Sequence, residues 1–362
     1  MTSPPPKHLL HVFPTFAVGG SQMRFAQLAR LHGARYRHTV IALDGNTDMM
    51  ERLKGLPVAS LSLSFDKRRT LQSWRLFRKT LRAVRPDVLL TYNWGAIEWA
   101  IVNRLGTGDP HVHIEDGFGP EEAQKQLSRR VWTRRLALSG GGTTVILPSR
   151  NLERIALEQW RLPKAHVRFI PNGVDCARFA VPLRADKDGS VVIGTVASLR
   201  KEKNVARLVR AFAGISGRYP MSELLIVGDG VERPHLEKLA SELGVSARVR
   251  FAGQSNRPED WLSQMDIFAL SSDTEQMPLS LLEAMSAGLP AVATNVGDVA
   301  QIVSPANSPY IVAATDEAFQ DGLARLIDDR AARNLIGREN EKRARENFDE
   351  TVMAARYAQI IG

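Results

Sequence analysis

The chain contains very little cysteine and no long apolar run. Its 362 residues include one cysteine, Cys176, so a disulfide within the chain is excluded and a reducing compartment is expected. No stretch approaches the ~20 apolar residues that a membrane-spanning helix needs. The first residues lack the charged and apolar regions of a signal peptide. These features predict a cytoplasmic protein, either free or peripheral on the inner face of the plasma membrane.

Several common catalytic motifs are also missing. The chain has no Gly-x4-Gly-Lys-Ser/Thr phosphate loop, no Cys or His spacing typical of a metal site and no Gly-x-Ser-x-Gly nucleophile elbow. A Gly228-x-Gly230 pair is present, but Arg233 occupies the place of the third glycine in a dinucleotide fingerprint. An NTPase or an NAD enzyme is therefore disfavoured, and no metal site is expected.

Acidic residues are too few to balance the basic ones, and the formal net charge is +9. A segment that begins at Lys67 and ends at Arg85 has no acidic residue and reads as a basic amphipathic helix. A second basic cluster begins at Arg129, ends at Arg135 and contains Trp132. Both fit an anionic membrane surface, where each cation contributes about 1 kcal/mol. The alternative is a helix whose apolar stripe packs on a sheet, and the two interpretations are compatible.

Nucleic acid is a poor explanation for the charge, because no helix-turn-helix, zinc-finger or RNP pattern is present. The sequence says nothing about oligomeric state.

Short apolar segments alternate with helical segments along the whole chain, which predicts parallel sheets covered on both faces. Strands are predicted at 8–13, 38–43, 58–63, 87–92, 111–114 and 143–147, and then at 191–196, 224–227, 249–251, 266–270, 291–293 and 310–312. We interpret four histidines on strands of the first set as core residues and not as metal ligands: His8, His11, His111 and His113.

The alternation predicts an α/β protein with two doubly wound Rossmann-like domains. We place the first domain at 1–185, the second domain at 186–346 and a terminal helix at 347–362. Pro-Asn-Gly-Val-Asp at 171–175 and the polar segment 184–190 are the predicted hinge.

The stretch 271–290 carries the most informative pattern. The strand predicted at 266–270 is followed by a loop that contains Glu275, and a helix entered at Pro278 contains Glu283 and is closed by Gly288. Glu275 is thus expected at the carboxyl end of the strand, where open α/β sheets bind ligands. The amides at the start of the helix favour an anion. Such a site suits a hydroxyl-rich ligand that carries phosphate.

Glu275, seven residues, Glu283 and then Ala-Met-Ser-Ala-Gly-Leu-Pro resembles the Glu-x7-Glu motif of family 4 glycosyltransferases. The resemblance implies the GT-B fold, in which two Rossmann-like domains face a central cleft, and transfer with retention of anomeric configuration. It also implies that Glu275 lies against the donor sugar and that Glu283 accepts hydrogen bonds from the ribose. The terminal helix would cross back to the first domain.

A second resemblance lies in the loop 194–204, which is similar to the family's Gly-Arg-Leu-x3-Lys loop. Lys203 matches the lysine that holds the donor diphosphate, whereas Ser198 stands where the family has arginine. Arg200 is the candidate replacement. A guanidinium and an ammonium together can neutralise a leaving diphosphate, which would make a metal unnecessary.

The loop Gly19-Gly20-Ser-Gln22 resembles the family's Gly-Gly-x-Glu loop, with Gln22 in place of glutamate. Glycine permits a close backbone approach to a ligand, although a tight turn would also explain it. The other expected donor contacts are the glycines and the motif residues Gly228, Gly230, Gly253, Gln276, Met277, Pro278 and Leu279.

Acceptor-side residues are expected after two strands of the first domain. Asn93 and Trp94 follow one strand, and Glu115 and Asp116 follow another. Asp116 stands where many relatives have histidine. It is a candidate to orient the acceptor hydroxyl, and a helix N-cap is the alternative role.

Together these residues predict a metal-independent, retaining hexosyltransferase with no permanently bound cofactor. The donor would be a UDP- or GDP-sugar, and the acceptor a hydroxyl of a glycan or lipid-linked molecule in cell-surface polysaccharide or glycolipid synthesis. The alternatives are a GT-B sugar nucleotide epimerase and a sugar-nucleotide-binding protein without turnover.

Overall fold

The computed structural model describes residues 5–65, 70–118, 120–122, 125–182, 184 and 190–362. The chain forms two compact units. The first comprises Met1–Pro171 and Met353–Gly362, and the second is Asn172–Val352. None of the described helices is both long and apolar enough to span a bilayer.

The first unit is built on a parallel sheet of seven strands in the order β3-β2-β1-β4-β5-β6-β7. The strands are β1 (Lys7–Phe13), β2 (Tyr36–Ala42), β3 (Val58–Ser60), β4 (Val88–Tyr92), β5 (His111–Ile114), β6 (Thr143–Leu147) and β7 (Val167–Phe169). The helices before the second unit are α1 (Gly20–His32), α2 (Thr70–Val84), α3 (Ile97–Leu105), α4 (Ser128–Leu138) and α5 (Arg150–Glu158).

Alternate side chains of each strand point to opposite faces of this sheet, and each face is covered by helices. Leu9 and Phe13 of β1 pack in a cluster with Phe25 of α1. Leu10 of β1 packs on the other face with Phe77 of α2. The sheet is therefore buried on both sides, as the alternation of segments predicted.

The second unit is built on a parallel sheet of six strands in the order β10-β9-β8-β11-β12-β13. Its strands are β8 (Val192–Val196), β9 (Glu223–Val227), β10 (Val249–Gly253), β11 (Ile267–Leu270), β12 (Ala291–Thr294) and β13 (Ile311–Val312). The helices are α6 (Val205–Ser216), α7 (Arg233–Glu242), α8 (Pro258–Leu262), α9 (Leu279–Ser286), α10 (Val299–Ile302), α11 (Asp316–Asp328), α12 (Arg330–Asn347) and α13 (Glu350–Ile361).

The units divide at Pro171, earlier than the boundary placed at 185 from the sequence. The reason is that the segment after Pro171 packs on the second unit: Val174 and Phe179 are buried in its core, and the Val174 amide donates to the carbonyl of Phe348 at 2.8 Å. Hinge residues 185–189 lie outside the described residues.

At the other end, the helix predicted at 347–362 corresponds to α13, which begins at Glu350, after α12 has ended at Asn347. Residues from Met353 onward belong to the first unit, where Met353 and Tyr357 are buried beside β1 residues. The three-residue edge strand β7 was not predicted, since so short a segment has no recognisable period.

The histidines of the first sheet lie in its interior and form two hydrogen-bonded groups. His11 Nδ1 lies 3.0 Å from the hydroxyl of Tyr92, and His11 Nε2 lies 3.0 Å from His38 Nδ1. His111 and His113 share the hydroxyl of Thr91, each at 2.8 Å. Burial lowers the pKa of His38 to about 4 and that of His111 to about 3, and neighbouring histidines act in the same direction. These side chains are therefore neutral core residues.

Acid should destabilise the first unit through these histidines. A histidine with a lowered folded pKa contributes stability that is fully present above the unfolded pKa of 6.5 and is lost as pH falls toward the folded pKa, about 4 for His38. The midpoint of thermal unfolding should fall across that window. His38→Gln should reduce this fall, by up to about 3 kcal/mol of unfolding free energy.

The matched control is His235→Gln, because His235 is exposed on α7. It should leave the pH dependence of the melting midpoint unchanged. Identical pH profiles for the two variants would contradict the assignment.

Candidate functional site

Each sheet has one place where consecutive winding reverses direction, between β1 and β4 in the first unit and between β8 and β11 in the second. The loops that leave two such strands diverge to opposite faces and leave a crevice at their carboxyl ends, which is where open α/β sheets bind ligands. The sequence-predicted site residues of the second unit lie on the loops after β8 and β11. Those of the first unit follow β1, β4 and β5.

In the second unit an ion pair joins the two loops of the switch point. Lys203 Nζ, on the loop after β8, lies 2.6 Å from Glu275 Oε1 on the loop after β11. The Ser272 hydroxyl donates to the same oxygen at 2.7 Å. The Glu275 side chain is 8% exposed and that of Lys203 is 22% exposed, so both reach the surface while most of each is buried. The structure thus brings together two of the predicted catalytic residues.

Other contacts hold these loops in register. Asn204 has a left-handed backbone conformation. Its side-chain nitrogen donates to the Asp273 carboxylate at 3.0 Å, and its side-chain oxygen caps α6. Arg207, nearly buried on α6, donates to the carbonyl of Ser271 at 2.6 Å and pairs with Asp273 at 2.8 Å. Ser271 in turn donates to the carbonyl of Lys203 at 3.2 Å. The ion pair therefore stands on two loops fixed by their own backbones.

Two glycines allow backbone to approach these loops. Gly297 has φ +56°, and a Cβ there would lie 2.1 Å from the carbonyl oxygen of Glu275. Gly228 has φ +134°, and a Cβ there would lie 1.8 Å from the carbonyl oxygen of Ala197. Any larger residue would displace a loop, so these glycines are required by close packing. Gly228 also donates its amide to Gly253 at 2.8 Å, which joins two of the predicted donor loops.

Helix α9 begins immediately after the loop that bears Glu275. Pro278 is its extended N-cap and not its first helical residue, and Gly288, with φ +76°, follows its end. The carbonyl of Met277, just before the helix, accepts a hydrogen bond from Asn172 at 3.0 Å. The free amides of the first turn follow Glu275 by a few residues in sequence and present partial positive charge.

Glu283, in the middle of α9, is partly buried, and its side chain makes no hydrogen bond or ion pair within the described part of the chain. Burial raises the pKa of Glu283 to about 7, with Arg178 acting against the shift and Glu259 adding to it. Arg178 is itself bound to Glu259 at 2.7 Å. A partly buried carboxylate without a protein donor can accept hydrogen bonds from the hydroxyls of a ligand.

The predicted second cation of the site lies apart from the pair. Arg200 is exposed and its Nε lies 3.3 Å from Glu202. Ser198 is exposed as well. A diphosphate contact by Arg200 remains a prediction, because the side chain would have to leave Glu202.

In the first unit the glycine loop leads directly into α1, which begins at Gly20. Gln22 is buried and folds back beneath the loop, where its amide nitrogen donates to the carbonyl of Thr15 at 2.8 Å. The hydroxyl of Ser21 donates to the side-chain oxygen of Gln22 at 3.0 Å. A Cβ on Gly19 would lie 2.8 Å from that oxygen. Gln22 therefore closes the loop internally.

Asp116 makes a two-point ion pair with Arg24 of α1, with contacts of 2.5 and 2.8 Å. The Asp116 amide donates to the side chain of Asn93 at 2.7 Å, which ties the loops after β4 and β5 together. Burial alone would lower the pKa of Arg24, but Asp116 more than offsets it and the pKa is raised. No helix begins at Asp116, since the next turn is a 3-10 turn at Pro120–Glu122, so the N-cap alternative was wrong.

The expectation that Glu115 lines a ligand site was also wrong. Glu115 is fully buried, 3.3 Å from Arg134 Nε and 3.4 Å from His113. Arg134 is equally buried, and its guanidinium lies over the rings of Trp94 and Trp160, each at 5.0 Å. The Glu115 amide continues the sheet by donating to β6, which turns its side chain into the interior. Glu115 and Trp94 thus support the loop from inside.

Two family models match the chain. The one described as "Glycosyltransferase Family 4" matches residues 18–178, and the one described as "Glycosyl transferases group 1" matches residues 183–343. Together they account for both units.

The chain belongs to glycosyltransferase family 4.

This glycosyltransferase resembles curated relatives over part of their length. It is 28% identical over 213 residues to the lipopolysaccharide core biosynthesis glycosyltransferase LpsE of Rhizobium meliloti, covering 58% of this chain and 61% of the relative. It is 32% identical over 278 residues to the D-inositol 3-phosphate glycosyltransferase of Corynebacterium urealyticum, covering 67% of this chain and 63% of the relative. Each match spans less than two thirds of the relative.

Solved structures confirm the fold of the glycosyltransferase. Anabaena HepE in complex with UDP superposes with a TM-score of 0.81 at 18% identity, covering 97% of this chain and 98% of HepE. WaaG, described as a glycosyltransferase involved in lipopolysaccharide biosynthesis, superposes with a TM-score of 0.77 at 18% identity, covering 98% and 99%. The predicted GT-B fold with two Rossmann-like units is therefore correct.

Sequence reasoning missed several residues that shape the glycosyltransferase site. Arg24 lies two positions after Gln22, and Arg207 lies three positions after Asn204, each near the start of a helix that follows a switch-point strand. That position was a usable signal for Arg207, because a basic residue in the first turn of a helix is unfavourable unless it has an acidic or carbonyl partner. Nothing in the sequence identified Gly297, whose role depends on a loop that is distant in the chain.

Replacing Glu283 should stabilise the protein without ligand at high pH. Because the pKa of Glu283 is raised from 4.5 to about 7, folding favours the protonated carboxyl. Its contribution to the free energy of unfolding is fully present below pH 4.5 and is lost as pH rises through 7. Glu283→Gln should therefore raise the free energy of unfolding by about 1–3 kcal/mol at pH 8 and leave it nearly unchanged at pH 4.5. Thermal unfolding at the two pH values measures the difference.

Glu275→Gln is the control, because the Glu275 carboxylate already has a cation and a hydroxyl as partners. It should not gain stability at pH 8. A Glu283→Gln variant that loses stability at that pH would contradict the raised pKa.

Proposed function

We propose that this glycosyltransferase transfers a sugar, with retention of configuration and without a metal, from a UDP- or GDP-sugar to a hydroxyl of a glycan or lipid-linked acceptor. The product would belong to cell-surface polysaccharide or glycolipid synthesis. The sequence and structural relatives named above support this class of acceptor, and the UDP complex of HepE supports a nucleoside diphosphate donor.

The observation that carries the proposal is the carboxylate of Glu283, which has no hydrogen-bond donor within the described part of the chain and lies on the helix that follows the loop of Glu275. A ribose presents two adjacent hydroxyl donors, which would satisfy both oxygens of Glu283. Diphosphate bound near the start of α9 would meet the free amides of the first turn and the ammonium of Lys203. The sugar would then lie against Glu275.

The chemistry follows from where charge develops. Cleavage of the bond between the sugar and the β-phosphate oxygen builds positive charge on the sugar ring and leaves negative charge on the diphosphate. Glu275 would stabilise the first and Lys203 the second, so the ion pair that exists without ligand is divided between the two parts of the donor. The acceptor oxygen would attack the face from which the diphosphate departs, and the departing phosphate would take the hydroxyl proton.

Asp116 is the proposed acceptor-orienting group. Its carboxylate is held by Arg24 at two points, yet its side chain remains 21% exposed. A carboxylate held at two points can accept a hydrogen bond from a hydroxyl in a fixed geometry. We therefore assign it to orientation of the acceptor.

The two glutamates should separate binding from turnover. Glu283→Ala should weaken nucleoside diphosphate binding about tenfold, because hydrogen bonds to a charged group are lost. Glu275→Gln should leave that binding within about threefold and lower kcat about a hundredfold or more, because it removes a charge that acts on the transition state. Calorimetry with UDP and GDP gives the first quantity. The rate of nucleotide release from the matching sugar donor gives the second.

Glu242→Gln is the matched control, because Glu242 is an exposed carboxylate on α7. Neither quantity should change in it. Binding without any donor turnover in the unmodified chain would favour a binding protein instead. Turnover to an isomerised sugar without an acceptor would favour an epimerase.

We further propose that the first unit lies on an anionic membrane surface. In α2 the residues that face the sheet are Phe77 and Leu81, while the exposed basic residues are Arg75, Arg78, Lys79 and Arg82. Packing on the sheet and a solvated basic face thus coexist in one helix. Lys67, Arg68 and Arg69 lie outside the described residues.

Helix α4 supplies apolar groups for the same surface. Trp132 is 67% exposed and Leu136 is 63% exposed, and Arg129 is exposed beside them. Helix α3 packs against both α2 and α4, so these helices are neighbours. Arg134 is an exception to the predicted cluster, because it is buried with Glu115.

Membrane binding should depend on these exposed rings. Trp132→Ser combined with Leu136→Ser should weaken binding to phosphatidylglycerol vesicles about tenfold or more, because two apolar side chains lose an interfacial environment. Vesicle sedimentation measures this binding, and high salt should weaken the binding of the unmodified chain and of the double variant. Met221→Ser, an exposed apolar position of the second unit, is the control. Equal binding to phosphatidylcholine vesicles would contradict the proposal.

A further inference from the structure

The second unit contains a cavity of about 610 Å³ that lies away from the Lys203–Glu275 pair. It is bounded by the last residues of α9 and by the residues that precede β11 and β12, which is the amino-terminal edge of the sheet. The candidate donor site lies at the other edge and at the other end of α9. Five arginines line the cavity: Arg184, Arg330, Arg333, Arg338 and Arg345.

The acidic residues of the cavity are already engaged. Asp266 accepts a hydrogen bond from Arg184 at 2.9 Å and another from the Val192 amide at 2.7 Å. Glu341 is paired with Arg345 at 2.6 Å. Since two carboxylates face five guanidinium groups, the lining carries an excess of three positive charges among the described residues. Ligand pockets of a few hundred Å³ hold small molecules, so the volume is suitable for one.

Two of the arginines are fixed before any ligand binds. Arg333 is buried and donates to the carbonyl of Leu326 at 2.9 Å, at the end of α11. Arg184 is held by Asp266 and also donates to the hydroxyl of Ser190 at 2.8 Å. A guanidinium that is already ordered loses little conformational entropy when it binds an anion.

The remaining arginines lie on one face of α12. Five residues of this helix line the cavity at intervals of four, four, three and four residues, which is the spacing of one helical stripe. In chain order they are Arg330, Asn334, Arg338, Glu341 and Arg345. Arg338 has no hydrogen bond or ion pair within the described ranges, and it is exposed. The helix therefore presents an uncompensated cation to the cavity, whereas on the opposite wall Arg184 is paired with Asp266.

We propose that this cavity binds a small molecule that carries at least two phosphate groups. The planar fork of arginine matches phosphate oxygens, and several forks around one cavity favour a ligand with more than one phosphate over a single monoanion. The site is distinct from the candidate donor site in position and in residues. It does not depend on the proposed reaction.

Inorganic pyrophosphate is the probe, measured by calorimetry at physiological ionic strength. Because pyrophosphate can also bind at Lys203, the titration is performed on the Lys203→Met chain, which lacks that cation. This chain should still bind pyrophosphate, and more tightly than orthophosphate. Adding Arg338→Gln should weaken the binding about tenfold, as expected for loss of a charged hydrogen bond.

Lys342→Gln is the matched control, because Lys342 is an exposed cation of α12 that does not line the cavity. It should change the affinity less than about twofold, as expected for a screened surface charge. Arg345→Gln is a second test of the cavity and should act like Arg338→Gln. Equal effects of Arg338→Gln and Lys342→Gln would overturn the proposal, as would loss of all pyrophosphate binding in the Lys203→Met chain.

Discussion

The ion pair between Lys203 and Glu275 is the interaction on which the candidate site depends. It joins the loops that follow β8 and β11, two strands that are neighbours in the sheet. The loops diverge at this point because the winding of the sheet reverses, and a crevice results. Contacts of Asn204, Arg207 and Ser271 already hold the two loops together, and the ion pair adds a charged contact across the crevice, so less conformational entropy is lost when a ligand binds.

The rest of the second unit can be understood as support for that pair. Arg207 and Asn204 fix the loop backbones, and Gly297 lets a neighbouring segment approach Glu275. Glu283 is the exception, because it is held in a partly buried position with a raised pKa and no partner among the described residues. A protein retains such an unfavourable group where a ligand later compensates it. On one motif, the Glu275 carboxylate has a cation and a hydroxyl as partners, and the Glu283 carboxylate has no hydrogen-bond donor among the described residues. This contrast is the physical basis for assigning the two residues different roles.

In the first unit another ion pair, between Arg24 and Asp116, fixes the loop after β5. Arg24 and Asp116 are bound at two points, and Arg24 is almost completely buried. A buried ion pair gains little stability overall, but removal of one partner leaves a costly charge. Asp116 is therefore fixed in one orientation. Behind it, Glu115 and Arg134 form a second buried pair between aromatic rings, so that the loop after β5 is rigid on its inner side.

The sequence predicted the elements well where a period or a motif was present. Twelve of the strands follow from apolar segments. Glu275, Glu283 and Lys203 were selected by their resemblance to family motifs, and the structure brings Lys203 and Glu275 into contact. The edge strand β7 was too short to detect. Glu115 was misplaced because the sequence does not show on which side of the sheet a strand-end residue turns. Arg24 was missed because its partner lies 92 residues away in the chain.

The central claim is that the wall formed by Lys203, Glu275 and Glu283 grips a nucleoside diphosphate. The most direct measurement is a crystal structure of the chain with UDP or GDP bound. The account predicts that the ribose hydroxyls donate to Glu283 and that the diphosphate contacts Lys203. A nucleotide bound with Glu283 still unpartnered, or bound elsewhere on the second unit, would contradict it.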